Sequence, residues 1–209
     1  IQTGGWEIRG SVIHNNWVHD CYAAGDHPGG LKGGLGIRGD DQTRGLTVHH
    51  NVVWNCGRDG IIVKGDSNRV YNNTVFNIGS NNLEGNYISL HTEPEPYKPW
   101  RYQLPLLEVQ NLNSLVFNNA TFNIVGDRKR NPFTPAKNLQ ANYLGKDFKL
   151  NNPEQLNFTP VPGSPLIDAG AVVTGFSENY KGNNPDIGAY EYDDTYWKPG
   201  ANWQPVDNN

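Results

Sequence analysis

Four stretches of the chain carry the same alternation of apolar and polar positions and align without gaps. They are SVIHNNWVHDC from Ser11, LTVHHNVVWNC from Leu46, NRVYNNTVFNI from Asn68 and SLVFNNATFNI from Ser114. Ile13, Val48, Val70 and Val116 fall three places before Asn16, Asn51, Asn73 and Asn119, and Val18, Val53, Val75 and Thr121 fall two places after them. A shorter element precedes each unit: WEIRG from Trp6, LGIRG from Leu35, IIVKG from Ile61 and ISLHT from Ile88. Its period of two predicts a strand with one buried face, with Ile8, Ile37, Val63 and Leu90 stacked in one column. A hairpin would explain one such pair of apolar pulses, but not four copies with asparagine at one bend. Coils of three short parallel strands, stacked about 4.8 Å apart, explain both. An asparagine at one bend of every coil can bond along the stack and satisfy turn backbone groups. The predicted fold is therefore all-β: a right-handed parallel β-helix with an asparagine ladder.

The rhythm holds over residues 1–125. Residues 126–209 read as irregular coils and a covering segment of the same domain, with no linker between the two parts. The first unit shows no polar cap around Trp6, so further coils upstream or a second chain are expected against that edge. Residues 92–110, rich in proline and aromatics, read as a long functional or face-packing loop.

Composition narrows the class. Of 209 residues, 24 are glycine and 14 proline, yet 36% are hydrophobic, which excludes disorder and implies many turns. A net charge of −4 argues against bulk attraction to nucleic acid or to anionic membranes. No apolar run approaches the roughly 20 residues of a membrane span. Cys21 and Cys56 are the only cysteines. They occupy equivalent places on adjacent coils, where stacked thiols are preferred over a disulfide because in-register side chains fit its torsion poorly.

These repeats resemble the pectate-lyase-like family of right-handed β-helix proteins. The C-terminal stretches PGSPLIDAGAVV and NNPDIGAYEYDDTYWKPG are similar to the closing segment of many secreted bacterial β-helix proteins linked to polysaccharide breakdown. The resemblance implies a secreted or cell-surface bacterial protein with a polysaccharide as partner. It does not imply a reaction, because the fold hosts lyases, hydrolases, epimerases and inert adhesins.

Candidate chemistry sits on the outward column of the shorter elements: Arg9, Arg38, Lys64 and His91. A lyase must neutralise a uronate carboxylate, remove the neighbouring proton and protonate the leaving oxygen. Arginine suits the first task through its bidentate fork, and lysine or histidine the second. Arg38, Lys64 and His91 are the expected catalytic set; Arg9, Asp26, His27, Arg58 and Trp54 are the expected substrate-binding set. Two alternatives share the neighbourhood. Asp40 and Asp66, placed on adjacent coils, would suit a retaining glycoside hydrolase, whose carboxylates lie about 5–5.5 Å apart. Asp40, Asp41 and Asp66 would suit calcium, which takes hard oxygen ligands. No cofactor is required by the lyase reading. A non-catalytic, adhesive β-helix remains the competing class, with Lys64 as a counter-charge for Asp40 and Asp66; an open groove at Lys64 favours catalysis, a covered strand favours structure. A second outward column, His19, Trp54, Phe76 and Phe122, is expected to be buried or to be covered by residues 92–110. Cys21 and Cys56 share its parity yet read as buried. His14 and His49, followed by Tyr71 and Phe117, read as a stack rather than a metal site. The sequons at Asn72, Asn119 and Asn157 carry little weight.

Overall fold

The computed structural model describes residues 1–4, 8–22, 34–40, 43–80, 83–91, 111–126, 131, 133 and 139–200. Five coils follow one another. The first holds β1 (Gln2–Gly4), β2 (Val12–His14) and β3 (Trp17–Cys21). The second holds β4 (Leu35–Asp40), β5 (Thr47–His49) and β6 (Val52–Cys56). The third holds β7 (Asp59–Lys64), β8 (Arg69–Tyr71) and β9 (Thr74–Ser80), with a short β10 (Leu83–Glu84) folding back on β9. The fourth holds β11 (Asn86–His91), β12 (Leu115–Phe117) and β13 (Ala120–Thr121); the fifth holds β14 (Ile124–Val125), β15 (Leu139–Gln140) and β16 (Tyr143–Leu144). An antiparallel pair, β17 (Leu150–Asn152) and β18 (Asn157–Pro160), follows.

The strands stack into three parallel sheets: β1-β4-β7-β11-β14, β2-β5-β8-β12-β15 and β3-β6-β9-β13-β16. This is a right-handed parallel β-helix, the hand that crossovers between parallel strands take almost without exception. Its core is a set of aliphatic columns. Ile37, Ile61, Ile88 and Ile124 share one register position, and Ile13, Val48, Val70 and Val116 another. Burying each side chain is worth about 1.5–3 kcal/mol.

The asparagine ladder is present and one rung longer than the repeats suggest. Asn16, Asn51 and Asn73 each send a backbone N–H and an Nδ2–H to Oδ1 of the next rung, at 2.9–3.1 Å. Asn119 does the same toward Asn142, the fifth rung, at 2.9 and 3.0 Å. The residue before each rung (Asn15, His50, Asn72, Asn118, Ala141) is left-handed, which turns the chain sharply between the second and third sheets.

The same conformation at Asp20, Asn55 and Asn77 settles the parity of the cysteines. One left-handed residue inside each of β3, β6 and β9 interrupts the alternation. His19, Trp54 and Phe76 therefore point out, while Cys21, Cys56 and Ile78 return to the core. Both thiols are free, and burial pushes that of Cys56 up.

Two expectations need correction. Ile8 does not join the column of Ile37: the first strand of the first coil is Gln2–Gly4, and Gln2 lies beside Arg38. Nor does Ile37 lie beside Val63; its neighbour is Ile61, while Gly39 lies beside Val63, and Val63 beside Leu90. The cause is a connector of unequal length. Gly39 to Val48 spans nine residues where Val63 to Val70, on the next coil, spans seven. The shared Gly-Asp pair after each strand conceals that offset in the sequence.

The C-terminal segment does not close the end of the helix alone. It runs back along the flank formed by the second and third sheets. Asn72 Nδ2 donates to Asp186 O and Gly188 O, Gly188 N donates to Asn118 O, and Ala189 N donates to Thr74 Oγ1. Trp17 Nε1, on the first coil, donates to Tyr190 Oη at 3.0 Å, and the Tyr190 and Trp197 rings stack 4.5 Å apart.

Candidate functional site

The outer face of the first sheet carries the charged residues, and the register decides which of them meet. Because Gly39 lies beside Val63, the next position brings Asp40, not Arg38, beside Lys64, and His91 follows on the far side. Lys64 Nζ lies 2.7 Å from Asp40 Oδ1, and Arg38 Nη2 forms an ion pair with Asp40 Oδ2. Two cations from adjacent coils thus close on one carboxylate. Lys64 is 7% exposed and Asp40 9%, and two of their neighbours on the outer face, Ile62 and Ser89, are fully buried. This face is covered within the chain, so the expected basic stripe with an open lysine is replaced by a compact, largely buried ion cluster.

Arg9 stands apart from it, exposed in the turn after Ile8 and packed near Gly45, because its unit does not form the first strand. His91 keeps the predicted place at the end of β11, opposite Lys64. Asp26, His27 and Asp41 lie outside the described residues, as does the segment 92–110.

The carboxylate pair expected of a hydrolase is not formed by register. Asp40 is committed to Arg38 and Lys64. Asp66, past the end of β7, accepts Leu112 N at 2.8 Å and lies 3.9 Å from Arg44 Nη2. Each aspartate has its own cations, so neither is left as a member of an acid–nucleophile dyad. The same geometry weighs against calcium: a carboxylate flanked by a guanidinium and an ammonium repels a further cation. Among the described residues no group of three or more histidine, cysteine, aspartate or glutamate side chains converges as a metal site.

Trp54 offers no open face to a sugar. His19 stacks on one side at 4.3 Å and Phe76 on the other at 6.1 Å, and Phe158 tilts against it at 4.9 Å. Among the described residues, the cover over this column comes from the C-terminal segment, where Phe158, Tyr190 and Trp197 pack into the same cluster. Phe122 does not extend the column, since the fourth coil leaves the third sheet after Thr121; its ring packs on Tyr87 and under Lys146. The other stack follows the sequence. His14, His49, Tyr71 and Phe117 lie 4.8–4.9 Å apart and within 6° of parallel. Burial holds His49 down to about 3 and His50 to about 4, and their Nδ1 atoms are 2.8 Å apart.

At the opposite end of β7 lies a second charged group. Arg58, at the bend into the strand, donates from Nε to Asp59 Oδ2 at 2.8 Å, and Asn86 Nδ2 donates to Asp59 Oδ1 at 2.8 Å. The sequence points to Arg58 alone; the roles of Asp59 and Asn86 come only from the stacking of β7 and β11.

No family model matches the chain, and no curated protein matches it. Among solved structures, the crystal structure of pectate lyase Pel9A is similar, with 14% identity, a TM-score of 0.42 and coverage of 90% of this chain. The chain spans 62% of the length of that protein. A likeness at this identity does not reach residue roles, and no site residue is assigned from it. Among the described residues no helix is long and apolar enough to cross a membrane.

Proposed function

We propose that this chain is an extracellular, carbohydrate-active β-helix that acts as a lyase on an acidic, uronate-containing polysaccharide. The observation that supports this reading is the Arg38–Asp40–Lys64 cluster, which leaves one net positive charge on the outer face of the first sheet. Buried ion pairs contribute little to stability beyond what apolar packing would, so their retention calls for another role. In the reaction, the Arg38 fork holds the uronate carboxylate. Lys64, having passed its own proton to Asp40, takes the proton from the carbon beside the uronate carboxylate. The electron pair forms a carbon–carbon double bond, the bond to the glycosidic oxygen breaks, and that oxygen takes up, through water, the proton that Asp40 holds. Asp40 holds Lys64 in place.

The test is release of ultraviolet-absorbing unsaturated product from a uronate polysaccharide. Wild type should release it, and Lys64→Ala and Lys64→Arg should not, with Lys64→Arg still folded. The burial of Lys64 favours a second reading, in which it ties coil two to coil three in a non-catalytic adhesive segment. Under that reading no unsaturated product forms with wild type, and Lys64→Ala lowers stability by removing one of the two cations that hold Asp40.

A further inference from the structure

We propose that Arg58, held by Asp59, forms a carboxylate-binding subsite for the same glycan at the far end of the strand that carries Lys64. The proposal rests on the uronate substrate class given above. Its own support is geometric. The Arg58 side chain is held through Nε, which donates to Asp59 Oδ2 at 2.8 Å, while the side chain is 38% exposed. Among the described residues the two terminal nitrogens, which form the fork that matches a carboxylate, have no hydrogen-bond or ion-pair partner.

The support beneath Arg58 is rigid. Asp59 is 2% exposed and receives Asn86 Nδ2 from the next coil. The Arg58 backbone is fixed on both sides, with its N–H on Gly34 O at 3.1 Å and its carbonyl receiving Asn86 N at 2.9 Å. A guanidinium oriented through its inner nitrogen presents its outer edge at little entropic cost. Arg58 and Asp59 together carry no net charge, so recognition here depends on the fork rather than on bulk attraction.

The experiment is calorimetric titration of wild type and variants with an oligogalacturonate and with its methyl-esterified form. Wild type should prefer the free acid. Arg58→Ala should lose about tenfold in affinity for the acid, with the ester and thermal unfolding unaffected, and Arg58→Lys should not restore it. Asp59→Asn should also weaken the acid, although it adds a positive charge; tighter binding by this variant would show that net charge, not the oriented fork, is at work and would overturn the proposal. Full preference for the acid in both Arg58 variants overturns the subsite and leaves the substrate class standing. Binding of neither form by wild type sinks the substrate class and the subsite with it.

Discussion

Replacing Asn73 with alanine tests the asparagine ladder where water cannot help. Asn73 is fully buried in the middle of five rungs. Its Oδ1 accepts Asn51 N at 3.1 Å and Asn51 Nδ2 at 3.0 Å. Its Nδ2 reaches Val48 O and Tyr71 O at 3.0 Å and Asn119 Oδ1 at 2.9 Å, so two hydrogens serve three acceptors. Alanine removes all of these. Asn51 Nδ2 keeps Ile13 O and His49 O as acceptors, but the Asn51 N–H and the Val48 and Tyr71 carbonyls lose a partner. Each buried group left unpaired costs about 1–3 kcal/mol, so the variant should lose at least about 3 kcal/mol. A domain of this kind has about 5–15 kcal/mol in total. Asn16→Ala, on the half-exposed first rung, should cost about 1 kcal/mol or less, because water replaces what it loses. Urea unfolding followed by tryptophan fluorescence measures both, with unchanged slope as the sign that one two-state transition is being compared. Equal costs for the two variants would refute the reasoning, leaving asparagine as a mere turn former. Turn propensity is already a poor explanation, since the left-handed residue at this bend is Asn72, not Asn73.

Gly60→Ala should destabilise as severely as a ladder variant, because the new Cβ would lie 2.5 Å from Val75 Cγ1 and 2.6 Å from the backbone oxygen of Tyr87; a midpoint unchanged in urea would show that the coils can shift apart. Burial pushes Glu191 up to about 7 from an ordinary 4.5, so the folded state holds a proton the unfolded chain releases. Stability should therefore fall as pH rises from about 4.5 to about 7, and Glu191→Gln should flatten that slope; a wild-type slope retained in the variant would exclude Glu191 as its source. His49 and His50 act in the opposite sense: both are neutral when folded down to about 3 and 4, so the stability they contribute is full above the ordinary 6.5 and is lost as pH falls toward those values. His49→Phe should reduce that acid-side loss, as read from the unfolding midpoint between pH 7 and pH 4.

The repeat by itself determined the architecture. Asparagine at one bend and aliphatic residues three places before and two places after it are a local code. Each coil must satisfy the same backbone groups in the same way, so the second and third sheets, the ladder and the His14–His49–Tyr71–Phe117 stack were legible. The fifth rung, Asn142, escaped notice because its unit has the unusual Ala141 at the left-handed position and only two-residue strands around it. The parity of Cys21 and Cys56 was not legible either, since alternation fails wherever a residue inside a strand turns left-handed. Only the tertiary structure decided the candidate site. Which charges meet on the first sheet depends on register between coils, and register depends on connector lengths that no local pattern reports. A two-residue difference between Gly39–Val48 and Val63–Val70 moved Arg38 away from Lys64 and put Asp40 in its place. The cover over Trp54 was equally hidden, because Phe158 and Tyr190 are distant in sequence and reach it only when the C-terminal segment folds back along the helix. Columns follow from a repeating backbone requirement, whereas pairings follow from how far each coil has slipped against the next.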